Sequence, residues 1–158
     1  MFPLLLISYY CSAQDVDVNG MYIGQLYTRQ QVVDKFGEPD YVYSGRINVQ
    51  PEYHDIFTGW CQYCKYGDNI LNFDEEGDGT FCGFNIYDNG FVVMKDYRKG
   101  GFRIGDEINA NIIENIFNKC IIEEFHKGYW KIWFGDWAIF WINTDNGIIV
   151  SMSFEIIQ

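Results

Sequence analysis

Between Thr28 and Asp40 the chain reads Thr-Arg-Gln-Gln-Val-Val-Asp-Lys-Phe-Gly-Glu-Pro-Asp, a short helix with both ends marked. Thr28 is an N-cap type, Val32 and Phe36 lie four apart on one face, and Gly37 stands where a helix exits through a left-handed residue. Pro39 forbids continuation and turns the chain extended. The pattern returns without gaps 81 residues later, where Ile104-Gly105-Asp106-Glu107-Ile108-Asn109 aligns on Ile23-Gly24-Gln25-Leu26-Tyr27-Thr28. Asn109 takes the place of Thr28, Ile113 and Phe117 those of Val32 and Phe36. Asn118 takes that of Gly37, where asparagine is the second choice.

Each helix is followed by alternating, strand-like sequence. After the first come residues 41–43, then 56–66 and 69–74 on either side of Gly67-Asp68, a Gly-first pair suited to a type II′ turn. Residues 80–87 and 91–97 flank Asp88-Asn89-Gly90, a further hairpin signal. After the second helix, 129–134 and 137–143 flank Gly135-Asp136, and Asp145-Asn146-Gly147 leads into a closing strand at 148–157. The expected fold class is α+β: two tandem repeats of a short helix followed by an antiparallel β-meander, the helices covering one face of a curved sheet. The first repeat spans 20–97, the second 102–158, and Arg98-Lys99-Gly100-Gly101 links them. At about 70 residues each, neither repeat buries a convincing core alone, so the two are expected to share one sheet or pack together.

A net charge of −11 argues against nucleic acid and anionic membrane surfaces as partners. No apolar run approaches the roughly 20 residues of a membrane span. Residues 1–13 have the apolar centre and small-residue ending of a signal peptide, with Cys11 and Ala13 at the −3 and −1 positions of a cut before Gln14. This places the mature protein in the periplasm or outside the cell, with no membrane insertion after cleavage. Tyr10 is too bulky for the residue preceding a lipid-bearing Cys11, which argues against a lipid anchor. Cys61, Cys64, Cys82 and Cys120 remain, enough for two disulfides in any of three connectivities, or for buried free thiols.

The run Thr28-Arg29-Gln30-Gln31-Val32 closed by Phe36-Gly37-Glu38-Pro39 resembles the Thr-x-x-Gln-Val helix and Leu-Gly-x-Pro exit of the small outer-membrane assembly lipoproteins. The tandem arrangement is similar to the β-lactamase inhibitor protein fold, two helix-plus-four-strand units in one sheet. Leu26 stands where these families usually place a glycine, and the second copy lacks the Gly-x-Pro exit. The resemblance implies an exported, non-catalytic protein-binding module without a cofactor, either inhibitor-like or assembly-factor-like.

The hairpin around Gly135-Asp136 supplies the candidate surface. A two-residue turn opposes Phe134 to Trp137, Ile132 to Ile139 and Trp130 to Trp141 on an apolar core face. The opposite face then pairs Trp133 with Ala138, Lys131 with Phe140 and Tyr129 with Ile142. That is too apolar for plain solvent exposure: either the other repeat or a loop covers it, or it binds a protein. Tyr129, Lys131, Trp133 and Phe140 are the candidate binding residues.

Other constellations carry less. Trp60-Cys61-Gln62-Tyr63-Cys64-Lys65 resembles the thioredoxin Trp-Cys-x-x-Cys-Lys string and nominates a thiol–disulfide redox protein using Cys61 and Cys64 as an alternative. Such chemistry needs the first thiol at a helix N-terminus, whereas a hairpin follows here, and strand positions three apart face opposite ways. A structural subunit of an envelope complex is a further alternative. Asp74, Glu76 and Asp78 match the first ligands of an EF-hand loop, but its twelfth position is Asn85 and no helices flank it, so an acidic turn is expected. His54 and His126 lack metal-ligand spacing. Glu123 and Glu124 are strand neighbours pointing to opposite faces, not a catalytic pair.

Overall fold

In the computed structural model, residues 15–46, 60–74, 79–95 and 100–157 are described; the signal segment, Cys11, His54, the middle of the acidic turn and residues 98 and 99 lie outside them. Among the described residues there are two short helices, α1 (Arg29–Phe36) and α2 (Ala110–Ile116), and ten strands. The strands are β1 (Asp17–Val18), β2 (Met21–Tyr22), β3 (Tyr41–Arg46), β4 (Trp60–Tyr66), β5 (Asn69–Asp74), β6 (Thr80–Ile86), β7 (Ile121–His126), β8 (Tyr129–Phe134), β9 (Ala138–Asp145) and β10 (Ile148–Ile156). The sheet-rich α+β class holds. No helix among the described residues is long and apolar enough to cross a membrane.

Local chemistry accounts for both helix starts. The Gln31 backbone N–H donates to Thr28 Oγ1 at 3.2 Å while the Thr28 N–H donates to Gln31 Oε1 at 2.8 Å, a reciprocal capping box. At α2 the Ile112 N–H donates to Asn109 Oδ1 at 3.1 Å. Gly37 ends α1 at φ 83°, and past Pro39 the Asp40 carboxylate accepts from the Gly67 N–H at 2.6 Å, tying the helix exit to the β4–β5 turn. The end of α2 departs from expectation. Phe117 occupies the cap at φ −103°, and Asn118 is not left-handed. A fully buried Phe117 holds that backbone by packing instead.

Eight strands form one antiparallel sheet in the order β3-β4-β5-β6-β10-β9-β8-β7, so the two four-strand runs meet at the β6–β10 pair. One side of this sheet carries the core. Leu71, Phe84, Phe134, Phe140 and Phe154 join Val32 of α1 and Ile113 of α2 in a single buried cluster. The ring of Phe117 lies 6.0 Å from Phe140 and 6.2 Å from Phe134. Nine of the chain's 13 phenylalanines belong to this cluster.

Residues 91–95 do not form the expected strand, and the last two residues of that 91–97 expectation lie outside the described residues. Val93 bridges Val18 on one side and Phe102 on the other, and Met94 turns left-handed at φ 54°. The β1–β2 ribbon captures this segment. The buried Asp17 carboxylate accepts from the Gly20 and Lys95 N–H groups at 2.7 and 2.9 Å, and the Asp17 carbonyl accepts from Met94. Asn69 Oδ1 accepts from the Tyr87 and Asp88 N–H groups, so Asp88-Asn89-Gly90 turns the chain without starting a hairpin. Gly101 passes close to residue 92: a Cβ there would lie 2.5 Å from Val92 Cγ1.

Candidate binding face

The β8–β9 hairpin closes with three residues, Gly135-Asp136-Trp137, not two: Phe134 pairs with Ala138, Ile132 with Phe140 and Trp130 with Ile142. Gly135 takes the positive φ of 63° that the turn needs, and the Trp137 ring lies against it. One extra turn residue reverses every side chain of the following strand. Phe140 is thus corrected from binding residue to core. It is fully buried, with Phe84, Phe102 and Phe117 rings within 6.3 Å. Trp141 replaces it on the outer face, opposite Lys131. The signal that identifies this phase is Asn143, which the two-residue turn puts on the apolar side.

Tyr129, Lys131 and Trp133 do share the outer face, all half-buried. The Lys131 ammonium sits between two indoles, 4.1 Å from the Trp133 ring centroid and 5.2 Å from that of Trp141. Tyr129 stacks on the other partner of this row, its ring 5.2 Å from Trp141 at 17°. Each indole N–H is satisfied by a carboxylate: Trp133 donates to Glu123 at 3.3 Å and Trp141 to Glu155 at 2.9 Å. Ile139, paired with Trp133, is 3% exposed yet lies outside the core cluster, so the row has a small apolar base of its own. Burial first, then the charge of Glu155 and the neighbouring Tyr87, pushes the Tyr129 hydroxyl up from its usual range, keeping it protonated. The row is an aromatic surface whose side chains already engage one another.

Beside it, a recess of about 390 Å³ opens between Tyr87 and the Tyr129–Trp141 stack, with Asn143, Ser151 and Ser153 among its lining residues.

The cysteines are divided in their states. Cys120 is disulfide-bonded, while Cys64 and Cys82 are not. Cys64 faces the core, where burial raises its thiol against a smaller opposing pull from Arg29. A thiol held protonated in this way is a poor nucleophile. The Cys82 thiol donates to the Asn72 carbonyl at 3.4 Å. The Cys61 side chain lies outside the described residues. His126 is exposed, its ring edge-on to Phe125. Among the described residues no group of three or more ligating side chains converges on a metal position.

Compared with protein families, curated proteins and solved structures, the chain finds no match.

Proposed function

We propose that this chain is an exported, non-catalytic protein-binding module of two tandem helix-plus-meander units. Its helices lie over one side of the shared sheet, and it holds a partner protein on the other side through Tyr129, Lys131, Trp133 and Trp141. The observation that carries the reading is the half-exposed Trp133–Lys131–Trp141 sandwich. Large aromatics with few rotatable bonds dominate protein interfaces, and side chains already held by mutual contacts lose less freedom on binding. The duplication is supported by backbone bonds that recur with the residue before each helix displaced by 81 positions and its strand partner by 68. Gly24 N–H donates to Phe81 as Gly105 N–H does to Ile149. Phe81 N–H donates to Gln25 as Ile149 does to Asp106, and Tyr27 to Gly79 as Ile108 does to Gly147. Gly24 and Gly105 share a left-handed φ, 82° and 93°.

The test is Trp133→Ala in a pull-down from the native envelope fraction. Loss of a central anchor costs about 2 kcal/mol or more of binding, roughly 30-fold in affinity. The melting temperature stays near that of the parent, because Trp133 lies outside the core cluster. Unchanged capture removes the proposed interface, and a collapse in melting temperature makes the row a structural element of the sheet.

A further inference from the structure

The recess beside the aromatic row has a lining unlike either the core or the row. Tyr87, at the end of β6 and 51% exposed, forms one wall, and the stacked Tyr129 and Trp141 form another. Between them stand Asn143 of β9 and its cross-strand partner Ser151, with Ser153 paired to Trp141. Among the described residues the side chains of Asn143, Ser151 and Ser153 make no hydrogen bond to the protein. They offer hydroxyl and amide groups that both donate and accept. His126, Lys127 and Met152 also line the recess, and no carboxylate does in a chain with 22 acidic residues. Its volume of about 390 Å³ falls within the roughly 300–1,000 Å³ of small-ligand clefts.

We infer that this recess is a binding site for a neutral saccharide. A pyranose ring has an apolar C–H face and a rim of hydroxyls, each of which donates and accepts. The face packs on the Tyr87 and Tyr129 walls, and the rim meets the serine hydroxyls and the Asn143 amide. A socket for an apolar side chain calls for a mainly apolar lining, which Asn143, Ser151 and Ser153 do not provide. Lys127, the one lysine in the lining, does not offset the overall charge of −11, which opposes a polyanionic glycan. The inference goes beyond the protein-binding reading and does not rest on it, since Tyr87, Ser151 and Ser153 have no part in the Lys131 sandwich.

The experiment titrates the whole protein with maltotriose, cellotriose and triacetylchitotriose, read by saturation-transfer NMR and by tryptophan fluorescence. At least one saturates in the millimolar range. Tyr87→Ala weakens it by about tenfold or more, the loss of one stacking wall, and Ser151→Ala weakens it with both walls in place. Tyr41→Ala, an exposed tyrosine at the far edge of the same sheet, leaves it unchanged. The inference is overturned if no trisaccharide saturates, if saturation is indifferent to both recess variants, or if Tyr41→Ala weakens it equally. Saturation by N-acetyltyrosinamide alone, lost in Tyr87→Ala, also overturns it and makes the recess a side-chain socket, leaving the protein-binding reading standing.

Discussion

The three-residue turn at Gly135-Asp136-Trp137 makes Phe140 a core residue, and that assignment has a measurable consequence. Phe140→Ala deletes a fully buried ring enclosed by Phe84, Phe102 and Phe117. Phenylalanine-to-alanine changes in cores cost about 3–5 kcal/mol, more where the surroundings cannot collapse. Here the neighbours come from three separate parts of the chain, each held in the same cluster, so the upper half of that range is expected. For a chain of this length, about 2–4 °C of melting temperature per kcal/mol translates this into a fall of roughly 8–20 °C. Urea unfolding followed by near-ultraviolet circular dichroism gives the free energy directly. If Phe140→Ala leaves too little folded protein, Phe140→Leu gives the same sign at about 1–2 kcal/mol. Trp141→Ala is the paired control. It loses one stacked ring and part of one cation–π contact, about 1–2 kcal/mol together. A Trp141 variant less stable than the Phe140 variant would refute the register and restore the two-residue turn.

Thr28→Ala and Asn109→Ala each remove a cap and should cost about 1 kcal/mol in urea unfolding, adding nearly independently because the two helices share no capping partner. Gly128 has φ 81°, and a Cβ there lies 2.5 Å from Thr144 Oγ1. Gly128→Ala should therefore cost about 1–3 kcal/mol, more than Gly24→Ala, where nothing lies within 4 Å. Thermal melts of the two variants check the order. Tyr66 donates to the Gly37 carbonyl at 3.2 Å, and burial, then Cys64 and Glu38, push its hydroxyl up to about 12. The folded state holds this proton more tightly than the unfolded state. The contribution is thus complete below the ordinary tyrosine value of about 10 and is lost as pH climbs from there to about 12. Urea midpoints across that window fall in the parent and flatten in Tyr66→Phe.

The elements fixed by local chemistry are legible in the sequence. Thr28 and Gly37 delimit α1, Asn109 starts α2, and Gly67-Asp68 turns β4 into β5 with Gly67 at φ 61°. What local patterns do not reveal is phase. Alternation identifies β9 as a strand, but both registers put large apolar groups on both faces, and a single turn residue decides between them. Tyr129, Lys131 and Trp133 are found because they precede that turn; Phe140 is misplaced and Trp141 missed because they follow it. Residues 91–95 fail for a different reason. Their partners, Asp17 to Asn19 and Phe102, reach them from separate parts of the chain and override a respectable strand pattern.

A second change of phase works with the first. Between β9 and β10 the pairing runs Ile149 with Thr144, then Ser151 with Asn143, leaving Val150 as an extra residue. Strict alternation from the buried Ile149 would turn Ser151 and Ser153 inward and Met152 and Phe154 outward. Each buried serine without a partner would cost about 1–3 kcal/mol, and each exposed large side chain about 1.5–3 kcal/mol. The bulge avoids all four penalties, so core burial is reason enough for it. Burial does not, however, dictate what fills the outward positions it releases. Cross-strand pairs on an open sheet face are stabilised by β-branched and aromatic side chains, yet serine stands at 151 and 153 beside Asn143, with rings confined to the walls. A face selected only for sheet stability would carry threonine or valine there; small hydroxyls flanked by aromatics serve a ligand that needs room as well as hydrogen bonds.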